Sequence, residues 1–126
     1  MGWRIADTGF QVVLAGGIPA LVRDHLRAEV DAFLVSQGLV RTDVRHWIAH
    51  TGGPKVLQAM ESALELPPRA LARSWDSLAT YGNVSSASVL FVAADVLASD
   101  AARPGDIGLV LSMGPGFCGE LVLLRW

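Results

Sequence analysis

The run Val44-Arg45-His46-Trp47-Ile48-Ala49-His50-Thr51-Gly52-Gly53-Pro54 most constrains the fold of this chain. Branched and aromatic residues over 44–49 predict a largely buried strand that delivers His50 at its C-terminal end. Gly52-Gly53-Pro54 then turns the chain and starts a helix, with Pro54 near its first position. A strand that feeds directly into a helix is the building unit of layered α/β folds.

The rest of the chain extends that pattern. Residues 10–14 predict a short strand ending at Gly16-Gly17. Leu21, Val22, Leu26, Val30, Phe33 and Leu34 recur at helical spacing, with Arg23, Asp24, Arg27 and Asp31 largely between them. They predict an amphipathic helix from about Pro19 to Gly38. After Pro54, the residues Val56, Leu57, Met60, Ala63 and Leu64 form an apolar face, while Gln58, Glu61 and Glu65 point outward. Pro67-Pro68 end that helix, and a shorter one is expected over 68–79. Residues 84–98 are apolar or small on every side and predict a buried central helix. A loop over 101–106 precedes a third core strand, Ile107 to Met113. Gly114-Pro115-Gly116 is a tight turn into a final strand, Gly119 to Trp126, antiparallel to its neighbour. The expected class is α/β: a layered mixed sheet with a buried central helix, built from residues 1–126 as one domain.

Composition narrows the partners. Hydrophobic residues make up 52% and charged residues 17% of the 126 positions, with a mean hydropathy of +0.41. That is apolar for a free-standing domain. Asp95 and Arg125 break the longest apolar stretches, so no membrane span is expected. The excess apolar surface points instead to a large protein interface. A net charge of -2 and a pI near 5.8 give no reason to expect nucleic acid or an anionic membrane. One cysteine, Cys118, allows no internal disulfide and favours an intracellular, cytoplasmic setting. The start lacks a signal-peptide pattern, and Ala6 stands where a myristoylation motif needs Ser or Thr.

Two segments carry chemistry. His50 follows the buried strand, and Tyr81-Gly82-Asn83-Val84-Ser85-Ser86 places Asn83 before the apolar helix. An imidazole N–H and a carboxamide N–H converging from two loops can hold one developing oxyanion. Taken singly, His50 is a core or capping histidine and Asn83 a helix cap. Asn83 can cap and donate at once. Cys118 starts a strand, away from any helix N-terminus, and is expected to be a small core residue rather than a nucleophile. His46 and His50 are four apart on a strand and give little support to a zinc site. His25 and His46 are expected as ordinary surface or interface residues, and Trp3, Trp47, Trp75 and Trp126 as packing residues.

These segments resemble a known family. Trp47-Ile48-Ala49-His50-x-Gly52-Gly53-Pro54 is similar to the histidine motif of type III polyketide synthases, the chalcone synthase group. Tyr81-Gly82-Asn83-x-Ser85-Ser86 resembles their asparagine motif, and Gly114-Pro115-Gly116 their glycine-proline-glycine loop. The three occur in the family's order over nearly the whole chain, in the style of its bacterial branch. The resemblance implies a thiolase-type fold of two similar halves, of which this chain matches the C-terminal one. The nucleophilic cysteine lies in the N-terminal half. It implies acyl transfer by decarboxylative condensation of malonyl-CoA onto an acyl-CoA starter, with coenzyme A thioesters as substrates and no metal or other cofactor. His50 and Asn83 become the catalytic donors, and His50 also pairs with the cysteine. The loop of Gly52 and Gly53 lies by the pantetheine tunnel, Ser85 beside the active site and Phe10 at the tunnel–cavity junction. Lys55 departs from the small residue common at that point in plant members; its two readings are a contact with a CoA phosphate and a solvated lysine. Gly114, Pro115 and Gly116 shape the cyclisation pocket. The partners implied are the N-terminal half and a second copy in a homodimer. Two other readings remain: a non-catalytic fragment that self-associates, and a relative of ketoacyl-carrier-protein synthase III. Members of the latter group carry His-Gln-Ala-Asn where this chain has His50-Thr51-Gly52-Gly53.

Overall fold

A mixed sheet carries the histidine strand, and helices cover both of its faces. The computed structural model describes residues 2–13, 16–114 and 118–126. The elements run β1 (Gly2–Ala6), β2 (Gly9–Val13), α1 (Ile18–Ser36), a 3-10 turn (Arg41–Asp43), β3 (Val44–Ala49), α2 (Pro54–Leu64), α3 (Ala72–Tyr81), α4 (Ala87–Leu97), β4 (Ile107–Gly114) and β5 (Cys118–Arg125). The main sheet has the order β3-β4-β5, with β3 parallel to β4 and β4 antiparallel to β5. β1 and β2 form a separate antiparallel hairpin.

Strand alternation distributes the core. Trp47 and Ala49 of β3 and Leu109 and Leu111 of β4 pack with Val22, Val30 and Leu34 of α1 and Leu57, Met60 and Leu64 of α2. Ile48, from the intervening position, packs on the other face against Val89, Val92 and Val96 of α4. Arg41 ties the helix ends together. Its Nε meets Asp31 Oδ1 at 2.7 Å, and its Nη1 donates to the Leu64 carbonyl at the end of α2. That carbonyl is one of the acceptors a helix C-terminus leaves without an intrahelical partner.

The expected elements are present, with differences that local hydrogen bonds explain. The strand expected over 10–14 is β2; Leu14 lies outside the described residues. Its partner β1 was not expected from the sequence. The helix expected over 68–79 runs from Ala72 to Tyr81. Before it, Ala70 N–H bonds to the Pro67 carbonyl and Arg69 adopts φ 68°, so the chain makes a turn there. The helix expected over 84–98 begins only at Ala87. The Ser88 hydroxyl accepts the Val84 N–H at 2.8 Å, and Ser85 sits at φ 61°, which holds 84–86 out of the helix.

The helix expected to be wholly buried is covered on one side in this chain. Ser88, Val89, Val92 and Val96 are buried, whereas Leu90, Phe91 and Leu97 are 66%, 42% and 62% exposed. Two further residues depart from expectation. Cys118 is exposed at the first position of β5 rather than in the core. His46 is no surface residue: its side chain is 12% exposed and its Nε2 lies 2.9 Å from Asp106 Oδ2.

The His46–Asp106 pair belongs to a clasp at the start of β3. Trp126 lies across the His46 ring at 5.0 Å between centroids. Its backbone N–H bonds to the Asp106 carbonyl, and its carbonyl accepts the Gly105 N–H at 2.7 Å. Gly108, opposite His46 in the ladder, leaves room for that indole: a Cβ there would stand 2.6 Å and 2.8 Å from two ring carbons. Hydrogen bonding by His46, and then by the Arg103 N–H, holds the Asp106 carboxyl below its ordinary pKa.

Candidate active site

His50 stands one residue past the last ladder residue of β3, and its backbone extends the ladder by donating to the Leu111 carbonyl at 2.8 Å. Strand alternation puts residue 50 on the same side as Ile48, which is the side of α4. The residue is buried, with 8% of its surface exposed. Burial lowers its pKa, so the imidazole is held neutral near pH 7. Its Nδ1 is buried without a hydrogen-bond partner among the described residues. A neutral imidazole keeps one N–H, which can donate to an oxyanion.

Gly53 makes the turn that follows. Its φ of 128° is open to glycine and strained for other residues, and Pro54 begins α2 beside it. Gly52 N–H bonds back to the His50 carbonyl at 2.9 Å, which closes the turn under the histidine. Lys55 is exposed in the first turn of α2.

Asn83 sits between the C-cap of α3, Gly82, and the turn that enters α4. Its Oδ1 accepts the Ser85 N–H at 3.0 Å and lies 3.5 Å from the Ser88 hydroxyl. Asn83 is therefore not the N-cap of α4, a position held by Ser86; it caps the preceding turn. Committing the carbonyl oxygen orients the other end of the amide, and Nδ2 remains as a donor. Ser85 serves this turn with its backbone and is exposed.

The two loops are joined directly. Thr51, wholly buried, donates its hydroxyl to the Gly82 carbonyl at 3.3 Å. The residue after His50 thus bonds to the residue before Asn83. A second hydroxyl holds the strand end: Ser74 of α3 accepts the Ala49 N–H at 3.3 Å and donates to the Ala49 carbonyl at 2.9 Å. Neither Thr51 nor Ser74 was singled out from the sequence. Thr51 lies inside the histidine motif and could have been found there. Ser74 carries no signal, because a serine inside a helix does not reveal what its hydroxyl reaches.

Other candidate residues lie elsewhere. Phe10 is 74% exposed and pairs with Ile5 in the hairpin, on a different sheet from His50. Gly114 ends β4 opposite Cys118, while Pro115 and Gly116 fall outside the described residues. Beside that turn, Met113 and Gly119 line an apolar cavity of about 320 Å³ shared with α1 and α2. Neither His50 nor Asn83 lines it. As for a metal, His46 is engaged by Asp106, and four strand steps put it roughly 13 Å from residue 50. No helix among the described residues is long and apolar enough to cross a membrane.

An α/β domain with a strand-end histidine loop bonded to an asparagine loop has counterparts among known proteins. The chain belongs to the family described as chalcone and stilbene synthases, C-terminal domain, which matches residues 1–126. It is 56% identical over 126 residues to 1,3,6,8-tetrahydroxynaphthalene synthase of Streptomyces peucetius subsp. caesius, covering 100% of this chain and 33% of that protein. It is 37% identical to a putative chalcone synthase of Bacillus subtilis (strain 168), covering 100% of this chain and 34% of that one. Among solved structures, 1,3,6,8-tetrahydroxynaphthalene synthase of Streptomyces coelicolor A3(2), a bacterial type III polyketide synthase, superimposes with a TM-score of 0.91 at 30% identity. That match covers 99% of this chain and 36% of the other. PKS-I of the brown alga Ectocarpus siliculosus gives 0.89 at 32% identity, covering 98% and 34%. The chain thus spans about a third of the length of the relatives it matches.

Proposed function

We propose that this chain is the C-terminal part of a type III polyketide synthase and supplies two oxyanion donors, His50 and Asn83, to decarboxylative condensation of malonyl-CoA onto an acyl-CoA starter. A cysteine of the N-terminal half attacks the starter thioester, forming acyl-cysteine and expelling coenzyme A thiolate. Malonyl-CoA then loses carbon dioxide, and the electron pair of the broken bond passes to the thioester oxygen as an enolate. The enolate carbon attacks the acyl-cysteine carbonyl, and collapse of that adduct returns the cysteine thiolate. Negative charge rests on a thioester oxygen three times in this sequence: in the cysteine–starter adduct, in the enolate and in the condensation adduct. Neutral His50 and the Asn83 amide are assigned to hold it, and one such donor is worth about 2.7–4 kcal/mol of transition-state stabilisation. The cysteine's proton passes to His50, the ion pair so formed keeps the thiolate, and the proton leaves with the coenzyme A thiolate, which returns His50 to its neutral form. No metal or further cofactor enters the scheme.

One observation carries this reading: the Thr51–Gly82 hydrogen bond, which joins the loop of a buried neutral histidine to the loop of an amide with its oxygen already engaged. The exposed face of α4, with Leu90, Phe91 and Leu97, is assigned to the missing half, and the whole enzyme to a cytoplasmic homodimer. Gly52, Gly53, Lys55, Ser85 and Phe10 are assigned to substrate passage, and Gly114-Pro115-Gly116 to the cyclisation pocket. The isolated chain lacks condensing activity. The test is reconstitution with the N-terminal half, with malonyl-CoA and an acyl-CoA starter as substrates. Turnover is expected, and it is lost in His50→Ala and Asn83→Ala. A well-folded reconstituted complex that makes no product refutes the assignment.

A further inference from the structure

The two hydroxyl ties beside His50 straddle it, and both lead to the same helix. The His50 N–H points to β4, since it donates to Leu111. Successive strand residues direct their backbone groups to opposite sides, so the Ala49 N–H and carbonyl face away from β4. β3 is the terminal strand of the described sheet, so no ladder partner meets them there. One hydroxyl from α3, that of Ser74, satisfies both. Ala49 and Ser74 are each 0% exposed, which excludes water as a substitute. On the other side of His50, Thr51 bonds to Gly82, the C-cap of that same α3. Asn83 follows Gly82 directly.

We propose that Ser74 and Thr51 are positioning residues for the condensation: with α3 between them, they tie down the residues either side of His50, Ala49 through its backbone and Thr51 through its own hydroxyl, and set the imidazole relative to Asn83. This rests on the function proposed above. Ser74 fixes the strand end against the start of α3, and Thr51 fixes the turn against its finish. The helix then fixes the separation of the two donors. Neither hydroxyl is assigned a contact with substrate.

The test compares Ser74→Ala, Ser74→Thr, Thr51→Val and Thr51→Ser in the complete synthase. Loss of either hydroxyl is expected to lower kcat about 10- to 100-fold, with the malonyl-CoA KM within about twofold of the parent. Ser74→Thr and Thr51→Ser, which keep the hydroxyl, restore most of it. In an Asn83→Ala background the same losses shrink to about threefold or less, because the donor pair is already broken. A loss of equal size in both backgrounds means a merely structural role and overturns the proposal. Titration of the His50 ring by NMR in the 126-residue chain gives an independent reading. Its midpoint rises towards the ordinary histidine value in Ser74→Ala and Thr51→Val but not in the conservative variants. An unchanged midpoint in both overturns the proposal. If the complete parent protein makes no polyketide, the functional reading fails, and the titration still decides the positioning claim.

Discussion

Replacing Gly108 by alanine should loosen the clasp at the start of β3. The added Cβ would lie 2.6 Å and 2.8 Å from two carbons of the Trp126 ring, so the indole must retreat by roughly 0.8 Å to regain a 3.4 Å contact. It has little freedom to do so. Its backbone is bonded on both sides, to Gly105 and Asp106, and its ring lies against His46. Overpacking of this kind costs about 1–3 kcal/mol, and the pinned backbone favours the upper half of that range. With a urea dependence of about 2 kcal/mol per M, the unfolding midpoint should fall by roughly 1 M. Urea unfolding followed by tryptophan fluorescence measures this directly. The cost should almost vanish in a Trp126→Leu background, where a smaller side chain leaves room for the methyl and alanine suits a strand better than glycine. A Gly108→Ala variant within about 0.5 kcal/mol of the parent, or one equally costly in both backgrounds, would refute the steric argument.

Three further outcomes are expected. Burial lowers the His50 pKa, so between that value and 6.5 the unfolded chain binds a proton that the folded chain does not; stability should fall as pH drops below 6.5, and His50→Gln should flatten that slope in urea titrations at several pH values. Arg41→Ala removes the ion pair with Asp31 and leaves the Leu64 carbonyl without its donor, and should cost about 1–3 kcal/mol by thermal or chemical unfolding. Leu90→Glu with Leu97→Glu should reduce self-association of the isolated chain by light scattering while leaving its unfolding midpoint nearly unchanged, since both residues are more than half exposed.

The sequence predicts the helices and the strands of the main sheet because their signals are local. The apolar spacing of α1 and the Gly53-Pro54 start of α2 depend on few neighbours. The 44–49 strand, with His50 beyond it, is also present as expected. What it leaves out depends on partners distant in the chain. His46 is indistinguishable from a surface histidine until Asp106, 60 positions on, comes beside it. Cys118 looks like a core residue by type, yet β5 places it at an exposed strand start. The all-round apolarity of residues 84–98 predicts a helix buried on every side, whereas α4 is covered on one side only, because the apolar pattern does not say how much of that surface this chain itself can cover. At the site, His50 and Asn83 are visible through their motifs. The hydroxyls of Thr51 and Ser74, which hold those loops, are visible only in three dimensions.

β3 is finished differently at its two ends. At His46 the ring nitrogen Nε2 meets a carboxylate, an indole lies tilted against the ring, and a knot of backbone bonds holds both partners. At His50 a ring nitrogen is enclosed with no hydrogen-bond partner among the described residues. Such a strand behaves like a beam fixed in a wall, whose far tip carries a tool. The hydrogen bonds that hold its tip leave the imidazole out, so a change of partner at the ring breaks none of them.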